Sequence, residues 1–284
     1  MRLLPLLERG LRLGLRRSGV ATHHVSTPLG RLHVYDAPGT GDGRGGRETI
    51  VLLHGISATA APFAPLIARL RRSAARVIAI DLPGHGFSEP TRVPLTPDRL
   101  FDAMTAAIDE LASGERISIV GNSLGGLVAV RHAIRRPAGV ARLILLSPGG
   151  AQTSDAEWQA LQASFRITSR REALAFVARV QDRPPLIARL VAHELVGRTR
   201  QPAVRDLLET TTPADPIPAA ELRGLPMPIL LWWGRSERLL PASHLEWWRA
   251  NLPPHAVVEE PEGIGHCPHL DDPSRVAARI STFS

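Results

Sequence analysis

From residue 19 onwards, short apolar runs rich in Ile, Val and Leu alternate with longer stretches in which apolar residues recur three and four positions apart. The first pattern is that of strands, the second that of amphipathic helices. The runs near 49–53, 76–81, 116–121, 141–146, 228–233 and 255–259 are dominated by aliphatic side chains, which predicts strands covered on both faces. Two more polar strands are expected near 22–26 and 30–36. Helices are expected near 62–72, 97–112, 123–135, 243–250 and 273–282. This alternation predicts an α/β fold, an eight-stranded, mostly parallel sheet with helices on both faces. The glycine-rich stretch 38–46 reads as a loop, and Pro213, Pro216 and Pro218 mark a hinge.

Between Gly150 and Gly224 the strand pattern stops and helical spacing takes over: Trp158, Leu161 and Phe165, then Leu174 and Val177, then Leu186, Leu190 and Val191. A helical cap over 151–224 is expected, inserted between the two core segments 19–150 and 225–284. Because it joins two strands, it should sit over the carboxyl edge of the sheet, where open α/β sheets bind ligands. Trp158, Leu161 and Phe165 fall on one helical face and are candidates for a substrate-binding wall; the same stripe would equally well pack the cap onto the body.

Composition narrows the class. The chain has 284 residues, 44% of them hydrophobic and 21% charged, an ordinary globular balance. The apolar runs are far shorter than the roughly 18–20 residues that cross a bilayer. A single cysteine, Cys267, allows no internal disulfide and no cysteine-rich metal site, and a cytoplasmic location is expected. The formal net charge is +7, yet residues 1–17 hold Arg2, Arg9, Arg12, Arg16 and Arg17 against Glu8, so the rest of the chain is nearly neutral. That distribution argues against a nucleic-acid partner. It points instead to the N-terminal segment 1–18, which drawn as a helix places Leu3, Leu4, Leu7, Leu11 and Leu15 on one side and arginines on the other. Two roles fit: peripheral contact with an anionic membrane surface, or packing on its own domain or on a second subunit. Pro5, Gly10 and Gly14 weaken such a helix.

The chemistry concentrates at GNSLGG, residues 121–126, which fits G-x-S-x-G with the strand-like ISIV before it and the helical LVAVRHAIRR after it. A serine at such a strand-to-helix turn is held in a strained backbone with its hydroxyl exposed. The helix that follows directs its positive end at the reaction centre. A serine hydroxyl is a weak nucleophile at neutral pH and needs a general base, for which histidine has the suitable pKa.

With HGIS (54–57), DLPGHGFSE (81–89), GNSLGG (121–126) and GIGHCPHLDDP (263–273) in that order, the chain resembles the α/β-hydrolase superfamily over about residues 25–284, in its capped serine-esterase branch. The resemblance implies Ser123 as nucleophile and His266, in the Gly-x-Gly-His loop, as base, with His269 structural and His54 and His85 stabilising loops. It implies a triad acid three residues after the glycine ending the seventh strand. That residue is Glu237, where the family usually has aspartate; Asp155 is the alternative, and an ion pair of Glu237 with Arg235 or Arg238 is the competing structural role. The backbone N–H groups of Ile56 and Leu124 are implied as the oxyanion hole, with Ser57 as a possible additional hydroxyl donor or a loop cap. Cys267 beside His266 is read as packing.

The implied activity is hydrolysis of a small-molecule carboxylic ester through an acyl-serine intermediate, without a cofactor. A serine at position 123 sets aside the branches with an aspartate nucleophile. Carbon–carbon bond hydrolases usually carry tryptophan after the histidine, where this chain has Cys267. They stay open as an alternative, as do perhydrolase or hydroxynitrile-lyase chemistry on the same triad and a non-catalytic ligand-binding role.

Overall fold

A computed structural model describes residues 3–41, 48–213 and 217–284. Arg2, Pro216 and most of the 38–46 loop lie outside the described residues. The strands β1 (Ala21–Thr27), β2 (Gly30–Pro38), β3 (Thr49–Leu53), β4 (Arg76–Ile80), β5 (Ile117–Asn122), β6 (Val140–Leu146), β7 (Ile229–Trp232) and β8 (Val257–Glu259) form one sheet in the order β1-β2-β4-β3-β5-β6-β7-β8. The pairs β1–β2 and β2–β4 are antiparallel, and all others are parallel. Every residue of β3, β5 and β7 is buried, which explains their unbroken apolar runs. Edge strand β1 instead has a mostly exposed pattern.

Register and strand order place the site. Leu53, the last residue of β3, lies opposite both Ile80 and Gly121, so the loops after β3, β4 and β5 leave the sheet at one level. The chain crosses to opposite sides of β3 on leaving β3 and β4, and this reversal opens a crevice at the carboxyl ends of the strands. Helices α2 (Ala64–Leu70) and α13 (Pro273–Thr282) cover one face of the sheet; α3 (Pro97–Leu111), α4 (Leu124–Arg135) and α11 (Ala242–Asn251) cover the other. Pro97 at the first position of α3, behind Thr96 whose side chain accepts from the Arg99 N–H, gives that helix a defined start.

The segment after β6 is wholly helical: α5 (Asp155–Phe165), α6 (Arg170–Val180), α7 (Leu186–Val191), α8 (Leu195–Thr199), α9 (Pro202–Thr210) and α10 (Ala219–Arg223). Capping boxes start α5 (Ser154 with Glu157) and α6 (Ser169 with Glu172). Phe165, Ile167, Ala173, Phe176, Val177 and Ala192 make a small apolar cluster separate from the two cores that flank the sheet. The last helix belongs elsewhere: α10 packs against α4 and α11, and Leu222 joins the main core. The expected boundary at 224 thus includes a helix that packs with the core.

The N-terminal segment forms a helix, α1 (Leu3–Arg17), by docking on its own domain. Pro5 falls in the first turn, where no intrahelical N–H bond is lost, and the Glu194 carboxylate accepts from the free N–H groups of Leu3 and Leu4. Glu8 pairs with Arg198 and accepts from the Thr59 hydroxyl; the Arg12 guanidinium lies 4.6 Å over the Phe87 ring; Leu15 is buried. The docked face is therefore Leu4, Glu8, Arg12 and Leu15. Leu7 and Leu11, expected on the same side as Leu15, are exposed along with Leu6 and Leu13. No helix among the described residues is long and apolar enough to cross a membrane.

Candidate active site

Ser123 sits between β5 and α4 with φ 55° and ψ −118°, a conformation that costs a non-glycine residue about 1–3 kcal/mol and persists only when its surroundings enforce it. They do so by close approach. A Cβ at Gly121 would stand 2.3 Å from the Gly125 carbonyl oxygen, and one at Gly125 would stand 2.2 Å from that of Leu53. Gly121 thus lets the first turn of α4 pack on β5, and Gly125 lets that turn lie against the end of β3. The Ser123 N–H donates to the Leu146 carbonyl, and its own carbonyl accepts from Gly126, Leu127 and Gly149.

His266 lies in the loop after β8, and Glu237 in the loop after β7. His266 Nδ1 donates to Glu237 Oε2 at 2.7 Å, and both side chains are buried. Burial pushes the Glu237 pKa up, but the His266 charge, that hydrogen bond and the N–H groups of Leu240 and Leu239 outweigh it, holding the carboxyl below the usual range. The extra methylene of glutamate is accommodated because the carboxylate reaches past two backbone donors to the ring. Arg235 pairs with Glu262, and Arg238 bonds the Ala178 carbonyl, so neither is the partner of Glu237. Asp155 stands exposed in the first turn of α5.

The loop after β3 is clasped by two neutral histidines. His54 Nδ1 donates to the Gly55 carbonyl while its Nε2 accepts from Leu82 N–H; His85 Nδ1 donates to the Pro83 carbonyl while its Nε2 accepts from Ser57 N–H. Burial pushes both down, His85 to about 4, so they stay uncharged at neutral pH. Asp81 beneath them accepts from Ala60, Phe87 and His33. Ser57, at φ 58°, is strained like Ser123. Among the described residues, the N–H groups of Ile56 and Leu124 donate to no protein acceptor. They border the crevice beside Ser123 and are available to a ligand oxygen.

Two positioning contacts carry no signal in the sequence. Asn122, the variable residue of G-x-S-x-G, donates to the carbonyls of Leu146 and His266, tying the histidine loop to the elbow. Asp271 accepts from the N–H groups of Gly265 and Asp182, tying that loop to the helical insertion. His269 is buried against Phe63, with ring centroids 4.5 Å apart, and burial pushes it down to about 3. Cys267 reaches Asn122 Oδ1 at 3.6 Å, and burial raises its thiol pKa strongly, so it packs as a neutral thiol.

Two cavities meet at Ser123. The larger, about 210 Å³, is bounded by Ser57, His266, Phe176 and Leu239 and by Leu4 and Glu8 of α1. The smaller, about 120 Å³, is bounded by Leu124, Trp158, Leu161, Leu207 and His244. Ile56, Ser123, Phe165 and Leu239 border both. The expected wall residues Trp158, Leu161 and Phe165 therefore line cavity space, and Phe165 also packs edge-on against Phe176.

Comparison with known proteins decides the family. A model described as the alpha/beta hydrolase family matches residues 50–279. The chain is a member of the alpha/beta hydrolase family. An uncharacterised protein of Mycobacterium tuberculosis is 30% identical to this hydrolase over 266 residues, covering 84% of this chain and 76% of that one. A pimeloyl-[acyl-carrier protein] methyl ester esterase of Nitrosomonas europaea is 29% identical over 248 residues, covering 81% of this hydrolase and 93% of the esterase. Among solved structures, a carboxylesterase from Bacillus subtilis superposes with a TM-score of 0.74 at 24% identity, covering 99% of this hydrolase and 97% of that chain. A bacterial membrane phospholipase A superposes with a TM-score of 0.81 at 22% identity, covering 99% and 91%.

Proposed function

We propose that this hydrolase cleaves carboxylic esters through a covalent acyl-serine intermediate, with Ser123, His266 and Glu237 as its triad. The observation that carries the proposal is a strained serine sharing one cavity with a histidine whose Nδ1 is held by a buried carboxylate. That hydrogen bond leaves Nε2 as the basic atom. His266 takes the Oγ proton as Ser123 attacks the ester carbonyl, and Glu237 stabilises the resulting imidazolium. The negative charge on the carbonyl oxygen is met by the N–H groups of Ile56 and Leu124, each such donor contributing about 10²–10³ in rate. Collapse releases the alcohol with the proton from His266; water then attacks the acyl-serine, returns a proton through His266 and restores the hydroxyl. The ester-cleaving activities named for the Nitrosomonas europaea and Bacillus subtilis proteins support this choice among serine chemistries, and the mostly apolar cavity walls suit an uncharged substrate.

Wild-type protein is expected to turn over p-nitrophenyl esters, and a reactive alkyl phosphonate to label Ser123; Ser123→Ala and His266→Ala remove turnover while keeping the native far-UV spectrum. Labelling at another residue, or near-native turnover by Ser123→Ala, overturns the mechanism. As a second proposal, the exposed leucines of α1 rest on an anionic lipid surface. The helix carries Arg9, Arg16 and Arg17 exposed, and its acid Glu8 is already paired with Arg198.

A further inference from the structure

Exposed apolar side chains gather around one cavity. Among the described residues ten large hydrophobics are exposed: four are the α1 leucines already described, three lie on α7 (Leu186, Ile187 and Leu190), and an eighth is Leu270, four residues after His266. The same three segments border the larger cavity at Ser123, through Leu4 of α1, Ala188 and Val191 of α7, and Leu270 itself. Glu194, three residues beyond α7, accepts from the Leu3 and Leu4 N–H groups and so holds the start of α1 beside that helix. The rim of the cavity on this side is an apolar surface.

α7 is divided around its axis. At 100° per residue, Leu186, Ile187 and Leu190 share one side and are 76%, 46% and 57% exposed, while Ala188 and Val191 turn toward the cavity. Exposed leucines scattered singly are ordinary. Three within five residues, on the reverse of a cavity wall, make a contact face. The charges beside it decide what it meets. Arg183 has a side chain 95% exposed, Arg189 is exposed on the helix itself, and Arg9 is exposed on α1. The neighbouring acids are engaged: Asp182, with its side chain 15% exposed, lies between Arg183 and Arg238, and Glu194 caps α1. Aliphatic side chains flanked by free positive charge fit an anionic bilayer, where the leucines enter the acyl boundary and the guanidinium groups stay among the phosphates. A second copy of this chain would bring the arginines of both copies into one contact, where like charges oppose association.

Resting on the ester-hydrolase mechanism above for its substrate, we propose that the outer face of α7, together with α1, seats the rim of the larger cavity on an anionic bilayer, and that the ester enters the cavity from the lipid. The substrate class is then an ester whose hydrocarbon chain dissolves in the bilayer, and it meets apolar walls at Leu270, Ala188, Val191 and Phe176. The contributions of α1 and α7 to binding add in free energy, so loss of either lowers partitioning.

The test uses the full chain and two variants, the triple variant Leu186→Ser, Ile187→Ser, Leu190→Ser and the double variant Arg183→Gln, Arg189→Gln, with thermal melting as the check on folding. In flotation with vesicles of phosphatidylglycerol and phosphatidylcholine at low salt, the bound-to-free ratio is expected to fall about tenfold from wild type to either variant. On vesicles of phosphatidylcholine alone, the double variant is expected to match wild type. Turnover of p-nitrophenyl laurate dissolved in the anionic vesicles is expected to fall about tenfold in the triple variant, while its kcat/KM for water-soluble p-nitrophenyl acetate moves less than about twofold. Equal binding of all three proteins to anionic vesicles, or binding by none, overturns the docking. Loss of binding with an unchanged laurate-to-acetate ratio overturns uptake from the lipid. A wild-type dimer that the triple variant dissociates, with flotation equal in the two, gives the face to a second copy and overturns the membrane assignment. Failure of the mechanism reads differently: no acetate turnover and no phosphonate labelling of Ser123 overturns ester cleavage, whatever the flotation shows.

Discussion

In the loops at the carboxyl edge of the sheet, polar groups are tied to other loops. Asp81 accepts from Ala60, Phe87 and His33; His54 and His85 link the loops after β3 and β4; Asn122 bonds the His266 carbonyl. In the helical insertion above them, Glu172 closes back on its own helix through Ser169 and Thr168, while a few other groups reach single partners outside: Glu157, besides capping α5, accepts from the Ser243 hydroxyl, and Asp206 from the Leu95 N–H. The insertion meets the loops through scattered contacts such as Asp182 N–H to Asp271 and Cys267 N–H to the Val180 carbonyl, while Leu186, Ile187 and Leu190 stand exposed. A lattice of cross-links holds reacting groups to the sub-ångström tolerance that proton transfer needs. Helices tied to the body by such single bonds and by apolar contacts can change their cavity lining without disturbing that lattice. The two regions thus differ in the density of polar cross-links rather than in their kind.

The largest effect is expected at Glu237, whose carboxylate joins the loop after β7 to His266. Glu237→Gln is expected to lower kcat about 10³- to 10⁴-fold, since an amide neither stabilises the imidazolium nor fixes the tautomer. The same residue links stability to pH. Its folded pKa is held below the ordinary value, so its contribution is complete above the unfolded glutamate pKa of about 4.3 and is lost as pH falls through the lower folded value. Unfolding free energy measured across the acidic range should therefore fall more steeply for wild type than for Glu237→Gln. Parallel curves for the two proteins would show that the carboxylate gains nothing from its partners in the fold.

The same division explains what could be read from the sequence. The central strands β3, β5 and β7 are legible because burial on both faces leaves unbroken aliphatic runs, and the elbow because Gly121 and Gly125 must lack side chains where they meet backbone. Glu237 is legible only through the resemblance, by its offset from Gly234 after β7, and the structure sets it against His266. Asn122 and Asp271 were not found: their partners at His266 and Asp182 are set by folding, and a single polar residue in a loop has no periodicity to betray it. α10 escaped for a related reason, since its helical spacing is that of its neighbours and only packing shows that Leu222 faces the main core.

On the insertion side, Phe165 lines both cavities and also packs on Phe176, so it tests whether selectivity and packing separate. Phe165→Ala is expected to change the ratio of long-chain to short-chain ester rates about tenfold. Loss of its packing is expected to cost about 3 kcal/mol of stability. An ester panel and a urea titration measure the two effects on the same preparation. A uniform fall in all rates, tracking the lost stability, would make Phe165 a packing residue and weaken the case that the insertion sets substrate choice.

The smallest effect is expected at α1, which touches both regions: Glu8 meets Thr59 of the loop after β3 and Arg198 of the insertion. Deleting this helix would open the larger cavity and leave Arg198 without its partner, so truncation cannot separate a role at the membrane from a role in the pocket. Substituting the exposed residues can. Leu6, Leu7, Leu11 and Leu13 are exposed, and changing all four to serine removes none of the groups in the Glu8–Arg198–Thr59 contacts. Flotation with anionic vesicles at low salt is expected to carry a small fraction of wild type and none of the fourfold variant, with turnover of water-soluble esters equal in the two. The wild-type fraction should shrink as salt is raised, because the arginine contribution is screened beyond roughly 10 Å at 0.1 M ionic strength. Equal flotation of wild type and variant would remove the membrane proposal and leave α1 solely as a wall of the larger cavity.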